Sequence, residues 1–117
     1  MKLQSIHHVS INVKDVPEAR KFYVDLLGCE VLDRPGLGFP GAWLQVGPQQ
    51  IHLMGIDSGA PVREQHFAFE VDDLDGIRQE LDQAGVKLSE SREIPGICVQ
   101  AFAHDPSGNM VEFNQRL

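Results

Sequence analysis

Four side chains able to bind a metal recur at matching places along this chain. His8 opens the alternating stretch His8-Val9-Ser10-Ile11-Asn12-Val13-Lys14-Asp15, and His66 opens its echo, His66-Phe67-Ala68-Phe69-Glu70-Val71-Asp72-Asp73. His52 and Glu112 sit inside the runs that close the two halves, Gln50-Ile51-His52-Leu53 and Met110-Val111-Glu112-Phe113. Three imidazoles and a carboxylate make a metal-ligand set. Without a thiolate, that set suits a borderline or harder divalent ion such as Zn, Ni, Mn or Fe(II). Four protein ligands on an octahedral ion leave two positions open for adjacent oxygens of a small-molecule substrate. The ion then serves as a Lewis acid. Glu112 is also a candidate catalytic residue, as the base that carries a proton.

The elements that must position these groups follow from periodicity. Each half reads βαβββ, a supersecondary unit written twice. Residues 6–13 alternate with period two, as a half-buried strand does. Asp15 is the N-cap expected of a helix with Pro17 in its first turn, an apolar stripe of Ala19, Phe22, Tyr23, Leu26 and Leu27, and Gly28 as its stop. Strands are expected near 30–33, 42–46 and 50–54. The glycine- and proline-rich stretch 34–41 is expected to be a loop. The second half repeats the plan, with strands near 66–71, 86–88, 98–103 and 109–114 and a helix over 74–84 that ends at Gly85. Asp105-Pro106-Ser107-Gly108 predicts a type I turn.

Alternation also divides each strand into two faces. Val9, Ile11 and Val13 oppose His8, Ser10 and Asn12; Ile51 and Leu53 oppose Gln50, His52 and Met54. In the second half Phe67, Phe69 and Val71 oppose His66, Ala68 and Glu70, and Val111 and Phe113 oppose Met110, Glu112 and Asn114. The apolar faces can seat the two helices. The other faces suggest a concave polar surface on which Ser10, Asn12, Gln100 and Asn114 are candidate substrate contacts. Phe39 and Trp43 suit an apolar wall for it. His7 is expected on the opposite face from His8, packing near a helix. His104 is expected at the surface and Cys98 as a small buried hydrophobe. Arg78, Glu80 and Asp82 read as a solvated helix face.

Composition sets the bounds. A chain of 117 residues with 42% hydrophobic content is expected to be one domain over 1–117, with module 1 at about 3–56, a linker at about 57–62 and module 2 at about 63–115. No apolar run approaches the roughly 20 residues of a membrane span. Met1-Lys2-Leu3 leads directly toward the first strand, so no signal peptide is expected. Two cysteines without CxxC spacing point to the cytoplasm. A net charge of −7 with scattered Lys and Arg argues against nucleic-acid partners.

The pattern as a whole resembles the vicinal-oxygen-chelate superfamily, which includes glyoxalase I, fosfomycin-resistance and bleomycin-binding proteins, extradiol dioxygenases and methylmalonyl-CoA epimerase. The resemblance runs from Leu3 to Asn114. It rests on Ile6-His7-His8-Val9, the Phe22-Tyr23…Leu27-Gly28 helix end, His66 with Ala68-Phe69-Glu70-Val71, and Asp105-Pro106-Ser107-Gly108-Asn109 leading to Glu112. It implies an α+β fold in which two tandem βαβββ modules form a curved, open, barrel-like mixed sheet with helices on the outer face. The family's ligand positions fall on His8, His52, His66 and Glu112. Similar small chains imply a homodimer in which His8 and His52 of one copy meet His66 and Glu112 of the other.

Departures from the family narrow the chemistry. Glyoxalase I usually has Glu where this chain has His52, and its glutathione-gripping residues are replaced by Asn12 and Ile56. Ser10 matches a hydroxyl of the fosfomycin thiol transferases, but their tyrosine appears as Phe102. The expected function is therefore a metal-dependent, glyoxalase-like lyase or isomerase on a small oxygen-rich substrate. His8, His66 and Glu112 also match the two-His, one-carboxylate set of Fe(II) dioxygenases. A non-catalytic drug-binding protein of the bleomycin-resistance type is the alternative from another class.

Overall fold

The computed structural model describes all 117 residues, and they fall into two compact units, Met1–Ala60 and Pro61–Leu117. In the first unit β1 (His8–Asn12) is followed by α1 (Val16–Arg20), a π-helical segment (Lys21–Leu26), β2 (Glu30–Leu32), β3 (Gly41–Val46) and β4 (Gln49–Met54). Its sheet has the order β1-β4-β3-β2, with β1 parallel to β4 and the other pairs antiparallel. The second unit repeats this with β5 (His66–Glu70), α2 (Leu74–Gln83), β6 (Arg92–Ile94), β7 (Cys98–His104) and β8 (Met110–Arg116) in the order β5-β8-β7-β6. The class is α+β, with βαβββ modules in tandem and neither sheet closed on itself. No helix is long and apolar enough to cross a membrane.

The period-two faces are those the sequence predicts. Ile51 and Leu53 are buried on one side of β4 while Gln50, His52 and Met54 are half-buried on the other. Leu44, Ala19, Phe22 and Tyr23 complete the first core, and α1 packs on β3 and β4. In the second unit Val111, Phe113, Ala101 and Ala103 are buried, as are Leu74 and Leu81 of α2, which packs on β8. Both helices are capped by an aspartate: Glu18 N–H donates to Asp15 Oδ1 (3.1 Å) and Gly76 N–H to Asp73 Oδ1 (3.0 Å).

The first helix does not stay regular to Gly28. It widens into the π-helical segment, with Leu27 N–H donating to Phe22 O. The wider turn buries the adjacent rings of Phe22 and Tyr23 edge to face at 4.9 Å, while Leu26 and Leu27 remain half-buried. Gly28 still ends the segment, at φ +82°.

The strand expected at 86–88 is absent, and β6 begins only at Arg92. Arg78 explains the delay, and it is no solvated charge. Its guanidinium donates to Leu88 O (3.3 Å), Ser89 O (2.7 Å) and Ser91 Oγ (3.0 Å). Backbone carbonyls that serve a guanidinium are diverted from a strand ladder. The predicted turn is present, with Gly108 N–H donating to Asp105 O (2.9 Å). Buried Asp105 Oδ1 also accepts from the N–H groups of Ser107 and Asn109, each at 2.9 Å.

Both cysteines are free and buried. Burial pushes the Cys29 thiol up to about 11, and the thiolate is the reactive form. Native protein at mildly alkaline pH is therefore expected to resist a thiol reagent, and denatured protein to titrate two thiols. Rapid labelling of Cys29 in native protein would contradict its burial.

Candidate metal centre

In the first unit strand register assembles the donors. The parallel β1–β4 pairing sets Ser10 opposite His52 and His8 opposite Gln50, and the antiparallel β3–β4 pairing sets Trp43 opposite His52. Because β1 and β3 flank β4, the His52 ring lies between two others. It stacks on His8 at 3.9 Å and 15°, and on Trp43 at 4.6 Å and 12°. His52 Nε2 lies 2.9 Å from Gln50 Oε1. An amide oxygen only accepts, so this bond holds a hydrogen on Nε2 and leaves Nδ1 as the free lone pair. His7 does not pack near a helix as expected: it is exposed, and its Nδ1 shares a 2.9 Å hydrogen bond with His8 Nδ1.

Burial lowers the pKa of His52, and the neighbouring His8, His7 and Arg34 lower it further. Metal binding requires the neutral imidazole, so the shift favours the ligating form. Folded His52 takes a proton less readily than an unfolded imidazole, so its contribution to stability is present above pH 6.5. That contribution falls away as pH drops from there through the lowered folded value. Its NMR titration is expected to have a midpoint below 6.5, the ordinary value. A midpoint at or above that value would refute the environment described.

In the second unit β5 and β8 run in parallel with Ala68 opposite Glu112, and β7 sets Phe102 opposite Glu112 and Gln100 opposite Asn114. His66 Nδ1–H donates to Glu64 O (2.8 Å), and the Phe102 ring meets the imidazole edge-on at 5.3 Å. Glu64 is the only non-glycine residue with positive φ, +68°. A strained backbone thus aims a carbonyl at the ring. With its hydrogen on Nδ1, His66 presents a lone pair from Nε2, 3.1 Å from Glu112 Oε1. Two acceptors face each other there, an arrangement that calls for a proton or a metal cation between them. Asn114 Nδ2 donates to Glu112 Oε2 at 2.7 Å and holds the buried carboxylate in place.

The sequence candidates therefore come together as two pairs, His8 with His52 and His66 with Glu112. Neither unit by itself gathers three or more His, Cys, Asp or Glu side chains placed to hold a metal. Ser10 lies beside the first pair, and Asn12 donates to Ser58 Oγ (3.1 Å). Gln100 lies beside the second pair's strand, next to Asn114 and Cys98. Phe39 lies under the guanidinium of Arg34, 4.9 Å from its ring centre. Sequence reasoning missed Gln50, Glu64 and Arg34. A lone glutamate with positive φ carries no composition signal, and Arg34 sits in a loop without periodicity.

Comparisons with known proteins agree with this architecture. Residues 5–113 match the model of the glyoxalase/bleomycin resistance protein/dioxygenase superfamily. Glyoxylase I 4 of Arabidopsis thaliana is 31% identical over 96% of this chain and 71% of its own length. A crystal structure from Bacillus anthracis, assigned to the glyoxalase family, superposes with a TM-score of 0.90 at 29% identity, covering 100% of this chain and 98% of that one. TnmS3, an antibiotic binding protein from Streptomyces sp. CB03234, gives 0.82 at 28% identity, with 100% and 99% covered. With a family match that spans nearly all of its length and both βαβββ modules in place, this chain belongs to the glyoxalase/bleomycin resistance protein/dioxygenase superfamily.

Proposed function

We propose that the protein is a metal-dependent lyase or isomerase of the glyoxalase type, acting on a small substrate with two adjacent oxygens. The observation that carries this reading is the facing pair His66 Nε2 and Glu112 Oε1, two acceptors 3.1 Å apart. His66 and Glu112 would hold one divalent ion, with His8 and His52 as the remaining ligands. Three nitrogens and one carboxylate suit Zn, Ni, Mn or Fe(II). When bound, the ion supplies Lewis-acid stabilisation of charge developing on substrate oxygen.

The rest of the work falls to the chain's own groups. Glu64 O fixes the tautomer of His66 and so the direction of its lone pair. Asn114 holds Oε2 of Glu112, leaving Oε1 as the atom that takes and returns a proton. Trp43 and the His8–His52 stack form an aromatic surface against which a substrate can lie.

As the resemblance to similar small chains implies, we take a homodimer as the functional form, the pairs of different copies completing each ion site. Ligands divided in this way make metal binding and association reinforce each other. Protein purified without chelator is expected to carry about one divalent ion per chain and to sediment as a dimer, dissociating more readily after the metal is stripped. A monomer at micromolar concentration with full metal content would refute the shared site.

The likeness to an antibiotic binding protein favours a second reading, sequestration of a ligand without turnover. A panel of thiohemiacetals, epoxides and catechols, assayed with each candidate metal, separates the two. Saturable binding with no turnover on any of them would support sequestration.

A further inference from the structure

The loop between β2 and β3 carries a cation that the metal chemistry does not use. Arg34 is half-buried, and its guanidinium carbon lies 4.9 Å from the centre of the Phe39 ring. Its Nε is buried without a hydrogen-bond partner. No carboxylate pairs with it, unlike Lys21, which pairs with Glu18, and Arg116, which pairs with Glu70. In a chain with 17 acidic residues against 10 Lys and Arg, an unpaired guanidinium stands out. Withdrawing its Nε–H from water without offering an acceptor is unfavourable, so the position favours a ligand that supplies one.

Its location says where that ligand would lie. Gly41 begins β3 opposite Met54 and shares a strand face with Trp43. A Cβ at Gly41 would come within 2.9 Å of Cζ and Nη2 of Arg34. The guanidinium therefore lies over Gly41, on the face that carries Trp43 and His52. Its charge is also felt at His52, whose pKa it helps to lower. The Phe39 ring and Gly41 flank the guanidinium, and no protein oxygen accepts from its Nε.

We propose that Arg34 is the anion-recognition residue of this site, receiving a carboxylate of the substrate beside His8 and His52. A guanidinium presents parallel N–H donors that match two carboxylate oxygens, and stacking on Phe39 fixes the plane of that fork. Phosphonate oxygens offer the same acceptors. The substrate class is thereby narrowed from small oxygen-rich molecules to small oxygen-rich acids. The inference deepens the reading above and rests on it for treating this face as the substrate side, but it does not require the ion to be bound.

Trp43 is the only tryptophan and stacks on His52, so its fluorescence reports events on this face. Pyruvate, lactate, methyl pyruvate and methylphosphonate are titrated against the full chain, both as purified and after chelator treatment. Pyruvate or lactate is expected to bind the native protein roughly 10- to 100-fold more tightly than the neutral ester. Arg34→Gln should abolish that preference, and Arg34→Lys should keep part of it. The lysine variant preserves charge and bulk, so partial preference there shows that loss in Arg34→Gln is not misfolding. Methylphosphonate binding as tightly as pyruvate supports a general oxyanion site, and weaker binding supports a carboxylate site. The proposal is overturned if the native protein does not distinguish acid from ester, if neither acid binds at tens of millimolar, or if Arg34→Gln retains the preference. Acid preference in protein that takes up no metal would defeat the metal reading alone. Metal uptake without acid preference would defeat the Arg34 assignment alone.

Discussion

Replacing Glu112 with Gln is expected to lower turnover by roughly 10²–10⁴-fold, the usual contribution of a positioned general base. An amide oxygen can still ligate a cation but cannot accept a proton at neutral pH. The surroundings add a second, smaller effect. Asn114 Nδ2 donates to Oε2 of the carboxylate at 2.7 Å, so the glutamine will keep its oxygen toward Asn114 and turn its NH₂ toward His66 Nε2. That N–H would compete with the ion for the imidazole lone pair, and metal affinity should fall, though less than turnover. The measurement that decides is activity per bound ion; if it is unchanged in Glu112→Gln, Glu112 is a ligand and nothing more. Assaying the native protein without oxygen gives the complementary result. Activity that survives supports proton transfer, whereas activity that vanishes transfers the assignment to an Fe(II)-dependent dioxygenase.

Replacing His66 with Ala should strip the metal. Losing an outer partner of a ligand commonly costs 10- to 100-fold in affinity, so deleting a direct ligand should weaken binding by more than about 100-fold. The fold should tolerate the change. The imidazole is a third exposed, and the Glu64 carbonyl it leaves lies next to an exposed residue and can turn to water. A stability change within about 1 kcal/mol is expected, in keeping with partly exposed positions. Unchanged metal content by elemental analysis in a folded His66→Ala protein would exclude His66 as a ligand.

How legible this molecule is from its residues depends on the range over which each feature is decided. Strand faces follow from alternation alone, because successive side chains on an extended chain must point to opposite sides. For that reason the buried Ile51 and Leu53 and the outward His52 are readable without coordinates, as are the aspartate cap at Asp15 and the turn at Asp105. The doubling of the βαβββ unit is equally local, since each copy repeats the same short-range pattern. Those features already bring the types of the donors and their strands into view.

What the sequence left open depends on groups distant along the chain. Arg78 postpones β6 by drawing Leu88 and Ser89 carbonyls to itself, a contact no local pattern announces. The π-helical segment at Lys21–Leu26 arises because two adjacent rings both reach the core, which overrides helical periodicity. The stacking of His52 between His8 and Trp43 is set by strand order, β1-β4-β3, which periodicity does not encode. The His66 tautomer depends on a carbonyl aimed by Glu64 at φ +68°, and the place of Arg34 depends on Gly41 leaving room beneath a guanidinium. By itself the sequence determined which side chains are available for chemistry and which face of a strand each one occupies, because those follow from backbone geometry over a few residues. Tertiary structure alone decided what each group touches, and so the direction of its lone pairs and the charge it meets, because hydrogen bonds and stacking are made between strands that only the folded chain brings together.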